Sequence, residues 1–224
     1  MHNFVHSIKS WQFGSTVAAR PVGSRAKRTI DILLALFGAV LLAPLLLLCF
    51  AAVVVTSPGP ALFRHKRVGF AGKQFDCFKF RTMATDAPQR LRQLLDTDPV
   101  AAAEWASCCK LRHDPRITPI GALLRKSSLD ELPQLFNVLR GDMSIVGPRP
   151  VTESELSRYF SVVNAYKACR PGITGLWQVS GRSTTSYNKR VACDLFYAQN
   201  WSMMLDVKIL VVTLPSLLLT DSAY

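Results

Sequence analysis

From Ile32 to Val55 the chain passes through 24 positions without one charged side chain. Apolar residues occupy every face of this run, as in a helix surrounded by lipid rather than laid on a core. At about 1.5 Å per residue it reaches roughly 36 Å, enough for a bilayer core. Pro44 stands near its middle, where a missing N–H and a clashing ring predict a kink. Basic residues flank the run on both sides, Arg25, Lys27 and Arg28 before it and Arg64, Lys66 and Arg67 after it. A spanning helix usually carries its Lys/Arg excess on the cytoplasmic side only. Symmetric flanks fit a re-entrant helix that bends at Pro44 and leaves by the face it entered. A straight span followed by a basic domain is the other reading, and the pattern alone leaves both open.

Ser57-Pro58-Gly59-Pro60 ends the run. Residues 61–83 then alternate with period two and predict short strands, with Gly69 and Gly72 marking the turn. Helical patterns follow over 86–111 (interrupted by Pro88 and Pro99), 121–126, 129–139 with Gly141 as the C′ glycine, 152–168 and 187–219. GITGLWQVSGR reads as a Gly-rich strand or loop. The late stretch MMLDVKILVVTLPSLLL, charged only at Asp206 and Lys208, suits docking on a bilayer surface or against the first helix; Pro215 weakens a second span.

Composition narrows the partners. Lys+Arg of 27 against Asp+Glu of 15 gives a net charge of +12 over 224 residues. Such an excess favours polyanions: anionic head groups, nucleotide diphosphates or nucleic acid. Aromatic residues do not alternate with the basic clusters, which argues against nucleic acid. The six cysteines show no C-x-x-C spacing, so reduced thiols are expected, with neither a metal knuckle nor a disulfide frame. No phosphate-binding glycine loop of either standard type is present, and the four histidines lack metal-ligand spacing.

The densest chemistry lies in RKSSLDELPQLFNVLRGDMSIVGPRP, residues 125–150. Adjacent helical side chains project about 100° apart, so Asp130 and Glu131 can reach different points around one phosphate. One can attack phosphorus while the other holds a divalent cation. The same residues also fit a capping box, Ser128-x-x-Glu131, with acids placed on the helix dipole. Arg125 precedes the pair by one to two turns, Arg149 is held between Pro148 and Pro150, and Arg182 follows Gly181. Each offers a planar fork for phosphate oxygens, against the alternative of an ordinary surface arginine. Lys66, Arg67, Lys79 and Arg81 form a basic stripe suited to head groups or a lipid phosphate, or to a solvated hairpin face.

These residues resemble the bacterial sugar transferases, the monotopic polyprenyl-phosphate phosphoglycosyl transferases, and among them the exopolysaccharide galactosyl-phosphate transferases of the succinoglycan type. The ordered motifs are SPGPALF-RHKRVG, FKFRTM, DPRITPIGALLRKSSLDELPQLFNVLRGDMSIVGPRP and RPGITGLWQVSGR, covering Lys27 to Tyr224. The resemblance implies an α+β, mainly helical fold with a small β-hairpin region. Its parts would be a basic leader over 1–28, a re-entrant membrane helix over 29–58 broken at Pro44, and a cytosolic membrane-associated catalytic domain over 59–224 with surface-docking amphipathic helices. The family breaks its helix at a Ser-Pro pair; here the pair is Ala43-Pro44. Asp130 would be the nucleophile and Glu131 the Mg²⁺ ligand, and Arg125, Arg149 and Arg182 would hold substrate phosphates. The implied partners are a UDP-hexose, undecaprenyl phosphate and membrane lipids, at the cytoplasmic face of the bacterial inner membrane; a homo-oligomer is compatible with this. Glucose 1-phosphate in place of galactose 1-phosphate, or a non-catalytic basic membrane-anchored binding protein, are the alternatives.

Overall fold

A computed structural model describes residues 22–108, 111–180 and 186–218. Helix α1 spans Arg25–Leu41, its first turn capped by the Ser24 hydroxyl, which accepts from the Lys27 backbone N–H. Helix α2, Ala43–Thr56, follows after a one-residue interruption at Leu42. Two strands come next, β1 (Leu62–Val68) and β2 (Gln74–Phe80), paired as an antiparallel hairpin. Helices α3 (Ala87–Thr97) and α4 (Pro99–Cys108) precede α5 (Pro119–Lys126), a short 3₁₀ turn (Leu129–Glu131) and α6 (Gln134–Arg140). Then come β3 (Ser144–Val146), α7 (Glu153–Leu156), α8 (Val163–Lys167) and β4 (Gly172–Thr174). Helices α9 (Leu176–Val179), α10 (Tyr187–Asn200) and α11 (Met203–Leu218) complete the described chain.

The chain divides into two compact units. One holds α1, the hairpin segment Arg64–Phe78 and everything from Pro133 onward; the other holds Pro44–Phe63 and Lys79–Leu132.

In the first unit α1 is built inside-out. Its buried positions are Lys27, Asp31 and Ala35, one stripe at i, i+4 and i+8, while Leu33, Phe37 and Val40 are exposed. Water would favour the reverse arrangement. The Lys27 ammonium pairs with the Asp206 carboxylate of α11 at 2.7 Å and donates to the Val146 carbonyl at 3.1 Å. Asp31 accepts from the Ser144 hydroxyl at 2.8 Å and the Ile145 N–H at 3.0 Å. Arg28 donates to the Val138, Leu139 and Met143 carbonyls, closing the end of α6. Two of the basic residues that flank the apolar run therefore work inside the protein.

Strands β3 and β4 pair in parallel, Ser144 opposite Gly172 and Val146 opposite Thr174, a contact the sequence did not announce. Gly147 and Gly172 permit it: a Cβ on Gly172 would lie 2.1 Å from the Gly147 nitrogen, and one on Gly147 2.3 Å from the Arg170 oxygen. Gly147, just before the Pro-Arg-Pro corner, and Gly172 thus serve close backbone approach. Around this pair lies a core of Val146, Cys169, Leu176, Trp177, Cys193, Tyr197 and Ile209. Cys49, Cys77, Cys169 and Cys193 are buried.

In the second unit Cys49, Val53, Ala61, Phe80 and Leu124 form the core, with Leu129 packed on it. The outer residues of α2 are apolar and bare; Leu47, Leu48 and Val55 are between 66 and 84% exposed. Among the described residues no single helix is long and apolar enough to cross a membrane, and α1 with α2 make up one bent pair that meets the length and composition together. The break lies at Leu42, two residues ahead of the proline that the sequence pattern points to. Pro44 cannot donate to the carbonyl four residues back and its ring collides there, so it is accommodated in the first turn of the next helix.

Three other expectations change. The helix expected over 129–139 is split, because Pro133 stands at the N-cap of α6. Gly141 does close that helix with φ of 94°. The segment 152–168 is broken by 3₁₀ geometry with Phe160 at φ 43°. Pro88 and Pro99 start their helices rather than interrupt one.

Candidate active site

The acid pair sits on a strained turn, not in a regular helix. Thr118 caps α5 by accepting from the Gly121 N–H at 3.0 Å. A Cβ on Gly121 would fall 2.0 Å from the Thr82 carbonyl oxygen, so only glycine lets α5 approach the Thr82 backbone. After α5, Ser128 takes φ of 57° and makes no side-chain cap. The capping box read from Ser128-x-x-Glu131 is therefore not formed, whereas Thr152 and Glu155 do form one. Left-handed backbone at a non-glycine residue is costly, and it swings Leu129 onto the core while Asp130 follows it inward.

Asp130 is only 8% exposed. Burial first, and then the charge of Glu131, push its carboxyl up to about 6, opposed by Lys79 and Arg125. No side-chain hydrogen bond reaches it among the described residues; the Lys79 ammonium stands 3.9 Å away. Lys79, on β2, is instead 2.5 Å from the Glu131 carboxylate. Arg125 is oriented by its Nε donating to the Thr82 hydroxyl at 2.9 Å. Asp130, Glu131, Lys79 and Arg125 thus meet within one unit.

The other basic candidates have different surroundings. Arg81 is buried, its guanidinium donating to the Ser57 and Pro58 carbonyls at 2.6 and 2.9 Å. Arg67 pairs with Glu155 at 2.9 Å and donates to the Pro150 carbonyl. Lys66 is exposed and pairs with Asp76. Three members of the basic stripe therefore have protein partners of their own, whereas Lys79 joins the acid pair. Arg149 lies in the first unit, 5.1 Å over the Trp177 ring. Arg182 lies outside the described residues. Sequence reasoning passed over Thr82, the ligand of Arg125, although FKFRTM carried it in plain view.

Two adjacent carboxylates, one raised by burial and by its neighbour's charge, suit a hard dication that also takes phosphate oxygens. Among the described residues no cluster of three or more His, Cys, Asp or Glu forms a closed metal cage.

The sequence model described as bacterial sugar transferase matches residues 22–220. This chain belongs to the bacterial sugar transferase family, a family of enzymes. It is 46% identical over 209 residues to the exopolysaccharide production protein ExoY of Sinorhizobium fredii, covering 93% of this chain and 92% of the relative. It is also 46% identical over 222 residues to the undecaprenyl-phosphate galactose phosphotransferase of Salmonella typhimurium, covering 99% of this chain and 46% of that longer protein. The UDP-glucose:undecaprenyl-phosphate glucose-1-phosphate transferase of Caulobacter vibrioides is 44% identical over 208 residues, 88% of this chain and 72% of the relative. The chain thus spans nearly all of the ExoY-type relative and about half of the Salmonella one.

Proposed function

We propose that this sugar transferase moves a hexose 1-phosphate, galactose 1-phosphate in the first instance, from a UDP-sugar to undecaprenyl phosphate and releases UMP. The names of the Salmonella and Caulobacter relatives support the reaction class, the former with galactose and the latter with glucose. The name of the ExoY relative supports a place in exopolysaccharide production; a transfer onto the lipid carrier would be its first membrane step.

The observation that carries the mechanism is Asp130: a buried carboxylate on a strained turn, raised to about 6, beside the charges of Lys79 and Glu131 and, among the described residues, with no side-chain donor committed to it. Such a group is largely ionised at neutral pH and more basic than an ordinary carboxylate, which favours nucleophilic attack. An Asp130 oxygen attacks the sugar-bearing phosphorus. The P–O bond to the bridging oxygen breaks, and UMP leaves with that oxygen. An oxygen of undecaprenyl phosphate then attacks the same phosphorus, breaking its bond to Asp130. The products are a polyprenyl-diphosphate sugar and the regenerated carboxylate. Two displacements let a water-soluble donor and a lipid acceptor react in turn.

Glu131 would hold Mg²⁺ together with donor phosphate oxygens, and the ion, when bound, supplies neutralising charge on the transferring group. Lys79 and Arg125 hold positive charge beside Asp130, while Arg149 and Arg182 are assigned to substrate phosphates. The inside-out α1 and bare α2 support a re-entrant membrane segment over 29–58, on the cytoplasmic face of the inner membrane. Cysteine labelling near residues 20 and 62 checks that topology; labelling from opposite sides would refute it.

The functional test is UMP release from UDP-galactose and UDP-glucose by lipid-embedded protein with Mg²⁺. Turnover is expected only when undecaprenyl phosphate is present, with a stoichiometric burst in its absence. A folded preparation that releases no UMP from either sugar would overturn the assignment.

A further inference from the structure

Trp177, in α9, is 6% exposed, yet its indole Nε1–H has no acceptor among the described residues. Two guanidinium groups converge on its ring, Arg149 at 5.1 Å and Arg190 of α10 at 4.9 Å from the centroid. The Nε–H of Arg190 is buried and equally without an acceptor. Among the described residues neither arginine forms an ion pair. The nearby acids are engaged elsewhere. Asp194 accepts from the Tyr159 hydroxyl at 2.7 Å and from the Arg149 backbone. Glu155 accepts from Arg67 and from the Thr152 N–H, both at 2.9 Å.

Cation–π attraction explains why each arginine rests on the indole, but it gives the buried N–H groups no acceptor. Burial, and then the neighbouring Arg149 cation, hold the Arg190 guanidinium below its ordinary value. Two like charges and two unanswered donors around one buried ring lack one thing: an oxygen-rich anion. We propose that Arg149, Arg190 and the Trp177 indole N–H form a phosphate-binding cleft, with Arg190 as a further binding residue. A phosphate group brings charge to both guanidinium groups and lone pairs to both donors. Arg190 escaped sequence reasoning because nothing in its spacing separates it from a surface residue of α10.

Assigning this phosphate to a substrate of the transfer reaction rests on the function proposed above; the cleft itself does not. The same chemistry is carried by a nucleoside diphosphate and by a polyprenyl phosphate. Binding of UDP, of a fluorescent undecaprenyl phosphate analogue and of inorganic phosphate is measured on the full chain in nanodiscs. Arg190→Gln is expected to weaken binding roughly tenfold or more. Loss confined to UDP names the donor diphosphate as the ligand, and loss confined to the lipid probe names the acceptor. Should Arg190→Gln fail to fold, Arg190→Lys keeps the charge but removes the Nε–H, and a weakening of about threefold or more is expected. Wild-type affinity for all three probes in a folded variant overturns the cleft, as does absence of phosphate binding by the parent protein. Because binding needs no turnover, retained UMP release by Asp130→Asn would overturn the aspartyl mechanism and leave the cleft standing.

Discussion

Lys27 and Lys79 each hold carboxylates, and the difference between their surroundings separates structure from chemistry. The Lys27 ammonium lies 2.7 Å from Asp206, and Asp206 accepts further bonds from the Tyr197 hydroxyl at 2.7 Å and the Trp201 Nε1–H at 3.1 Å. The charges and lone pairs there are answered, as a buried pair requires if it is not to destabilise the fold. Lys79 is more open and is 2.5 Å from Glu131, while Asp130 beside it keeps its nearest cation at 3.9 Å. Asp130 is thus buried without the side-chain hydrogen bonds that would pacify it. Saturated charge holds helices together; undersaturated charge is what the proposed mechanism draws on.

The largest expected effect attacks the undersaturated side. Asp130→Asn should lower UMP release by about 10³-fold or more while leaving the melting temperature close to that of the parent, since no side-chain hydrogen bond is lost. Parental turnover in a folded Asp130→Asn protein would dissolve the comparison.

Next come the two lysine pairs. Asp206→Ala removes the 2.7 Å partner of the buried Lys27 charge, leaving it only Asp31 at 3.9 Å, and should cost roughly 3 kcal/mol in stability. Lys79→Met, on a partly exposed pair, should cost about 1 kcal/mol or less yet reduce turnover. Denaturation in detergent micelles, run beside UMP release, reads both quantities. Equal stability losses would mean that the two sites are of one kind.

A smaller, graded effect comes from Asp194, where burial raises the carboxyl up to about 7 against the opposing Tyr159 hydrogen bond. The folded state therefore binds this proton more tightly than the unfolded chain, whose Asp titrates near 3.9. Its contribution to stability is full below the unfolded value and is lost as pH rises through about 7. Stability should fall across that window by up to about 4 kcal/mol through this group, and Asp194→Asn should flatten the slope. A pH profile of unfolding that is identical in the variant would show that Asp194 is hydrated rather than enclosed.

Much of the fold is legible in the order of residues. The hairpin over 61–83, the stop after Thr56 and the C′ role of Gly141 all follow from local chemistry: period-two alternation, prolines, and a glycine where φ must be positive. The acid pair is legible as a candidate, but its setting is not. Ser128-x-x-Glu131 has the spacing of a cap, and only the left-handed Ser128 backbone shows that no cap forms. The basic stripe is the weakest guide. Arg67 and Arg81 have protein acceptors far away in sequence, so charge alone could not distinguish them from Lys79.

By itself the sequence determined the helical character, the apolar run with a break close to its proline, the hairpin, and the family through ordered motifs. These depend on residue type and short spacing, which the chain displays directly. Tertiary structure decided which charges are satisfied: Lys27 by Asp206, Arg28 by the end of α6, and the Arg190 Nε–H by no acceptor beside Trp177. Whether a charge is answered depends on partners many residues away and on the water removed around them, and neither is written in local order.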